Sequence, residues 1–577
     1  MQNKELTGYP SIDKPWLKYY SEEAINAPLP KCSMYEYLYQ CNKDYLDNTA
    51  LNYFGKKITY KKLFENIDKV AVCLQAAGVK KGDIVSVCTL TAPETVYLIY
   101  AINKVGAVSN MLGLTSPVQD LHEQLASTDS KLVFAVEMAY ELIVEAAKET
   151  KVEKIVSIPI EYSMPTALKA AASLKQKHPK LNDMSIKWKD FFTLGEGKSF
   201  EPVEIDCKSM AIIEYTGGTT GVPKGVMLSS KALNTYPCMF DKAILSGLLN
   251  YQKGDKYLCC VPMFLAFGLS ACCHGPLCYS MDCLLSPDPS PEAVADMILK
   301  HKPQHLVAGP LHYDELLKKT KEKNADLSFI KSAMYGGEKV NKEWEEQING
   351  ALHCHNLNVP LLNGYGMTET AATILITTSK YRSGLMPLYG VVTKITDPDN
   401  TETELSYDNE GELFISADTI MNGYYKNEEL TDETIVYKNG LYWIRTHDLA
   451  TISSDGIIKI TGRIKRIYSR TTQDMIQVRV YPMRIEEELS RSEYVERCAV
   501  VGVKDDVVAY RSIAYIILKD TTTNSEAVKA ELDKQCRENL PESHVPDEYR
   551  FVSEFPLTRA GKVDFRALEK MAEESQT

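Results

Sequence analysis

Near the middle of the chain lies Tyr215-Thr216-Gly217-Gly218-Thr219-Thr220-Gly221-Val222-Pro223-Lys224-Gly225. After Tyr215 it holds four glycines, three threonines and a lysine. Glycines let a backbone approach a polyphosphate and turn successive N–H groups toward its oxygens. The threonine hydroxyls add donors and Lys224 adds a compact positive charge. Far downstream, a second lysine sits in Pro556-Leu557-Thr558-Arg559-Ala560-Gly561-Lys562-Val563-Asp564. In this order and at this separation, the pair implies a nucleoside triphosphate held by one domain, with the site completed by a lysine from another. The loop does not fit Gly-x-x-x-x-Gly-Lys-Ser/Thr, so a P-loop kinase or ATPase fails at its own motif.

Bulk properties narrow the classes further. A chain of 577 residues is too long for one hydrophobic core and should divide into domains. Its 44% hydrophobic and 25% charged residues are those of an ordinary globular protein. A net charge of −12 gives no footprint for nucleic acid, whose binding surfaces are basic. The fifteen cysteines are odd in number, and the densest group, Cys259, Cys260, Cys272, Cys273, Cys278 and Cys283, lacks zinc-site spacing. They are expected to be reduced, mostly buried small hydrophobes. Met1 to Pro15 is polar and unlike a signal peptide, so a cytoplasmic location is expected. The most apolar stretch, Leu258 to Cys273, is interrupted by Pro262 and Gly268 and is too short to span a membrane. A core strand and helix beside a pocket are expected there.

Short apolar runs alternate with helix-like segments over the first 450 or so residues, which argues for parallel sheets covered by helices. Strands are expected at Asp83 to Leu90, Ala211 to Tyr215, Lys256 to Met263, His305 to Val307 and Ser332 to Tyr335. A helix is expected over Pro93 to Val105, with proline at its start. Ser229 or Ser230 offers an N-cap to the helix after the glycine loop. Asp455-Gly456 marks a hairpin turn within Leu441 to Ile467. Past about Lys465 the pattern becomes a small α+β unit, with strands near Ala499 to Val503 and Ile513 to Leu518 and a helix around Ser525 to Cys536. The fold class is therefore α/β: a large N-terminal domain of several helix-covered parallel subdomains, residues 1–464, then a small α+β C-terminal domain, residues 465–577. The junction is tight, near Arg463 to Arg466.

Tyr215 to Gly225 resembles the phosphate-binding signature of the adenylate-forming superfamily, which includes acyl-CoA synthetases, luciferases and adenylation domains. The resemblance continues in order along nearly the whole chain and is nearest to acyl-CoA ligases and stand-alone adenylation enzymes. Gly336-Gly337-Glu338 resembles the family's glycine-pair turn, and Asn363-Gly364-Tyr365-Gly366-Met367-Thr368-Glu369 its central motif. Thr446-His447-Asp448 and Thr461-Gly462-Arg463 resemble its ribose-contacting pair. Lys562 stands at the catalytic lysine and Lys465 at the hinge.

The resemblance implies an AMP-forming acid–thiol ligase using ATP and Mg²⁺. Thr216, Gly217, Gly218, Thr219, Thr220, Gly221 and Lys224 would hold the phosphates, with Gly337, Glu338, Gly364 and Gly366 shaping the nucleotide site. Asn363 would pair with adenine, Tyr365 stack on it, and Asp448 accept the ribose hydroxyls with Arg463 beside it. Thr368 would donate to the α-phosphate, and Glu369, a hard oxygen ligand, would bind Mg²⁺. Lys562 would stabilise charge developing at the α-phosphorus. Rotation of the mobile C-terminal domain at Lys465 would then withdraw Lys562 and admit a thiol.

The acid pocket is expected to follow Pro262-Met263-Phe264-Leu265-Ala266-Phe267-Gly268. No acidic residue lies between Asp255 and Asp282. A buried substrate ammonium would therefore lack a counter-charge, which disfavours α-amino acids. Leu265 stands where many acyl- and aryl-CoA members carry a histidine or aromatic gate. With Phe264, Cys272, Gly309, Tyr335, Gly336 and Met367 as the other walls, a hydrophobic acid, fatty or aryl, is expected. The acceptor is CoA or, alternatively, the phosphopantetheine of a carrier protein. CoA-using members commonly have a short glycine loop after the hinge, whereas Tyr468 to Val478 is longer and has no glycine before Tyr481-Pro482. A nucleotide-binding pseudoenzyme is the remaining alternative, opposed by the joint presence of Glu369, Asp448 and Lys562.

Overall fold

The computed structural model describes residues 6–175, 178–216, 223–338, 340, 342–471, 477–505, 507–519, 525–558 and 562–574. Two large sheets dominate. In the eight-stranded sheet, Val108–Met111, Ile84–Cys88, Leu132–Val136, Lys154–Ile158 and Ser185–Lys187 run parallel beside Met210–Thr216. The nine-stranded sheet has a parallel centre of Leu361–Met367, Ser332–Gly336, His305–Ala308, Lys256–Cys259, Asp282–Leu285 and Thr49–Tyr53. These strands read as nearly continuous apolar runs because helices cover both faces. The helix Pro93–Lys104 starts on its proline, and eleven of its twelve residues are buried.

A five-stranded sheet follows, built on the long strand Leu441–Ile452. That strand turns through Gly456, at φ +82°, into Ile458–Arg463. A single 3-10 turn, Ile464–Arg466, leads to the final segment. There the hairpin Tyr468–Thr471 and Gln477–Val480 precedes a three-stranded sheet of Val495–Asp505, Ala509–Leu518 and Glu548–Phe551, with helix Ser525–Asn539. The cores separate at this turn. No buried member of the two large hydrophobic clusters lies beyond Ile458, and those of the last two clusters begin at Tyr468.

The strand expected over Lys256 to Met263 ends at Cys259. The Pro262 carbonyl turns back to accept from Leu265 N at 3.1 Å and packs against Gly268. A Cβ at Gly268 would fall 2.0 Å from that carbonyl oxygen. The helix that follows, Phe267–His274, is a π-helix, a form that tends to occur at functional sites. All fifteen cysteines are free thiols, ten of them buried. Among the described residues, no helix is long and apolar enough to cross a membrane.

Gly366 marks the tightest backbone approach beside the central motif. A Cβ there would lie 1.9 Å from Ala372 O, against a rigid neighbouring strand. Gly366→Ala is therefore expected to destabilise the large unit by about 3 kcal/mol, the upper end for overpacking. The thermal midpoint and the urea midpoint should both fall.

Candidate active site

The ends of three sheets converge on one cleft. Strand Leu361–Met367 delivers Asn363, Gly364, Tyr365 and Gly366, and the adjacent strand Ser332–Gly336 ends on Gly336, followed by Gly337 at φ +90°. The left-handed turn at Gly337 suits glycine alone among common residues and swings Glu338 over the cleft. Gly336 and Gly364 face each other so closely that a Cβ on Gly336 would sit 3.0 Å from Gly364 O and 3.5 Å from the Phe267 ring. Met367 leads into a single turn, Thr368–Thr370, closed by Ala371 at φ +58°.

Asp448 owes its position to an irregularity. Opposite Leu413 the long strand carries three residues, Thr446, His447 and Asp448, between the pairs Phe414–Arg445 and Glu412–Leu449. Such a bulge re-aims side chains at a sheet edge. His447 takes φ +57°, and Thr446 Oγ1 donates to Leu413 O at 2.8 Å. Behind the bulge, the fully buried Glu412 accepts from Arg445 Nη2 at 2.8 Å and lies 3.3 Å from His447 Nδ1. Burial alone would raise the pKa of Glu412, but these two neighbours outweigh it and hold it below the usual range.

Asp448 accepts the Tyr365 hydroxyl at 2.6 Å and lies 3.6 Å from Arg463 Nε. Arg463 is its register partner on Ile458–Arg463. The first contact is a charge-assisted hydrogen bond and the stronger of the two. The Arg463 side chain is 52% exposed, so its pairing contributes about 1 kcal/mol or less. Burial nevertheless wins and raises the Asp448 pKa against Arg463 and Tyr365.

Glu369 is buried and accepts the Tyr424 hydroxyl at 2.7 Å. Tyr424 also lies beneath Lys224, whose Nζ is 5.7 Å from the ring centroid. Lys224 pairs across the hairpin with Thr216, so both loop ends are fixed. The expected phosphate contacts Gly217, Gly218, Thr219, Thr220 and Gly221 lie outside the described residues. Among the described residues, no group of three or more His, Cys, Asp or Glu could hold a metal. One hard carboxylate oxygen suits Mg²⁺ that arrives with a polyphosphate and keeps its waters.

The final segment reaches into the same cleft. Thr558 N donates to Lys562 O at 2.6 Å and Lys562 N to Thr558 Oγ1 at 3.2 Å, so the two residues are held together. Lys562 keeps contact with solvent, yet its ammonium lies in the field of Arg463, Glu338, Asp448 and Glu369. Desolvation and then Arg463 depress its pKa, against the pull of the three carboxylates. Lys465, on the 3-10 turn, is likewise depressed by desolvation and by Lys224 and Arg463.

The expected acid-pocket residues divide. Phe264 packs on Gly113, and Cys272 is buried with its thiol toward Val307 O. Leu265 is partly buried against the core, and Gly309 precedes helix Pro310–Lys323. Gly336 faces Phe267, whereas Tyr335, one residue earlier, points to the opposite face and donates to Glu345 at 3.1 Å. Tyr335 also packs edge-on against Trp344. Sequence reasoning singled out neither Tyr424 nor Phe267. Phe267 stood in the quoted pocket run; nothing local marked Tyr424.

Residues 38–425 match the model of the AMP-binding enzyme family, and residues 484–562 that of the AMP-binding enzyme C-terminal domain. The chain belongs to the AMP-binding enzyme family. By that membership it is an adenylate-forming, AMP-forming ligase. A long-chain-fatty-acid–CoA ligase of Bacillus subtilis (strain 168) is 27% identical over 577 residues, covering 96% of this chain and 97% of that protein. An acetyl-coenzyme A synthetase of Shewanella sp. (strain W3-18-1) is 26% identical, covering 90% and 79%. The fold matches the crystal structure of an anthranilate CoA ligase bound to anthranoyl-AMP, with TM-score 0.78, 20% identity, and 96% and 99% of the two chains covered. ATP-bound MatB from Rhodopseudomonas palustris gives TM-score 0.78 at 21% identity, over 94% and 100%.

Were Lys562 to assist adenylation, as the resemblance implies, its lowered pKa would set a pH limit. A lysine whose cationic form is favoured less than in water loses its charge at a lower pH as pH rises. Adenylation should therefore decline on an alkaline limb below the range of an exposed lysine. Lys562→Arg, which stays charged, should lack that limb even if its plateau is lower. A pH profile of ATP–pyrophosphate exchange checks both.

Proposed function

We propose that the protein activates a hydrophobic carboxylic acid, fatty or aryl, with ATP and then forms its CoA thioester. The observation that carries this reading is the meeting of Lys562 with Asp448, Glu338 and Glu369 in one cleft. Cationic and anionic groups then stand around one point where a nucleotide's sugar, metal-bound phosphates and reacting phosphorus can lie together.

In the first step, a carboxylate oxygen attacks the α-phosphorus. The new bond forms as the α–β phosphoanhydride breaks, and pyrophosphate departs. Asp448 accepts the ribose hydroxyls, with Arg463 beside it. Asn363 and Tyr365 hold the base, and Thr216 and Lys224 hold the phosphates. Thr368 and Lys562 stabilise charge that appears only in the transition state, which is what raises rate rather than affinity. Glu369 is the residue that would hold Mg²⁺, which supplies charge neutralisation on the phosphates. In the second step, a thiol attacks the acyl carbon, AMP leaves, and the thiol proton passes to solvent. Residues 465–577 would turn relative to 1–464 about Lys465 between the steps. The cysteine usage supports a cytoplasmic setting.

The apolar run Phe264 to Gly268 and the lack of acid between Asp255 and Asp282 support a hydrophobic acid. The named relatives act on fatty, acetyl and aryl acids, which is why the preferred acid belongs to the experiment. A carrier protein's phosphopantetheine is the alternative acceptor: the stretch Tyr468 to Val478, which contains no glycine, would suit it or be a neutral extension.

The deciding experiment is ATP–pyrophosphate exchange across short, long, aryl and amino acids, followed by comparison of CoA and carrier acceptors on the best acid. One acid class should respond, and Lys562→Ala should lower its exchange rate by roughly three orders of magnitude with ATP binding nearly unchanged. Near-normal exchange in that variant would remove Lys562 from the mechanism. Silence of the wild type with every acid, with ATP still binding, would favour an unusual acid or a pseudoenzyme.

A further inference from the structure

Three arginines beyond the 3-10 turn reach carboxylates of the large unit. Arg479 Nη2 lies 2.7 Å from Asp399 Oδ1, Arg484 Nη2 3.1 Å from Glu410 Oε2, and Arg497 Nη2 3.8 Å from Glu338 Oε2. The first two pairs are open to solvent and screened, so they contribute little.

The third pair is enclosed. The Glu338 side chain is only 18% exposed, and its Oε1 is buried with no hydrogen-bond partner among the described residues. Such an oxygen is costly to leave unmatched, so the carboxylate depends on the cations around it. Those cations are Arg497 and Lys562, with the Val563 backbone N–H nearby, all from the C-terminal segment. Burial raises the Glu338 pKa, and Arg497 is the first of the groups opposing it. Arg497 is itself seated on Phe555, 5.5 Å from the ring centroid, one residue before the loop that carries Lys562. The guanidinium therefore bridges the two units at the base of the lysine loop. Asp314 of the large unit also lies in its field.

We propose that Arg497 is a positioning residue for the first half-reaction alone. Its ion pair with Glu338 holds the C-terminal unit in the orientation that places Lys562 in the cleft. Thioester formation, which requires that orientation to be left, does not use the pair. This rests on the two-step reading above.

The test separates the half-reactions in the full-length enzyme. Arg497→Ala should slow ATP–pyrophosphate exchange about tenfold, while the conversion of supplied acyl-adenylate and CoA to thioester stays level or quickens. Arg497→Lys should recover part of the exchange rate. Arg497→Ala combined with Glu338→Gln should be no slower than the slower single variant, since both remove one contact. Arg479→Ala and Arg484→Ala should change either rate by less than about twofold. An equal fall in both half-reactions, or no change in exchange, would overturn the proposal.

A second measurement does not depend on turnover. Asp399→Cys with Arg479→Cys places two thiols across the junction, and a short bis-maleimide should join them, read as a gel shift. Adding Arg497→Ala should reduce that yield. An undiminished yield would overturn the positioning role even if the adenylation reading stood. Absent exchange in the wild type together with a reduced yield would instead sink the adenylation reading and leave the contact.

Discussion

Everything in the cleft is referred to one carboxylate held where water is scarce. Asp448 is kept in place by a tyrosine hydroxyl at 2.6 Å from one strand end and an arginine from the strand paired with its own. Both partners are rooted in paired strands, so the carboxylate is held by the fold itself. The bulge at Thr446 to Asp448 re-aims the side chains there. Glu412 underwrites the bulge from behind with Arg445 and His447. The site is thus preorganised at some expense to the sheet, an arrangement that favours electrostatic stabilisation over induced adjustment.

The division of labour between cores explains the rest of the architecture. Large clusters built from residues up to Ile458 carry the glycine pair, the central motif and Asp448. Small clusters from Tyr468 onward carry only the lysine loop and its supports. A lysine mounted on its own core can approach or leave the cleft without unpacking the pocket. That separation suits the proposed reaction, in which the adenylyl group passes first to a carboxylate and the acyl group then passes to a thiol.

Much of the fold was legible because its cues are local. The alternation of apolar runs and helical periods fixed the parallel sheets, and Asp455-Gly456 gave the hairpin. Ser229, rather than Ser230, caps the helix after the glycine loop, accepting from Ala232 N. That Asp448, Glu369 and Lys562 stand near one another could be expected from the motifs that carry them. Contacts set by distant backbone could not. The alternation of a strand already puts Tyr335 and Gly336 on opposite faces, but which of the two meets the pocket follows from the phase of that strand against its neighbours. Nor does anything near Tyr424 announce that it meets Glu369, a partner 55 positions away in the chain. The run Leu258 to Cys273 showed its apolar character plainly, but the π-helix and the close approach of Gly268 to the Pro262 carbonyl were invisible to periodicity.

The 3-10 turn at Ile464–Arg466 gains meaning from the charges around it. Lys465 stands in the field of Lys224 and Arg463, and Arg463 in turn lies beside Lys562. On the two-step reading proposed above, a polyphosphate lying among these cations would offset their repulsion. Its departure as pyrophosphate would leave like charges facing each other across the turn, and that repulsion would favour a change of orientation.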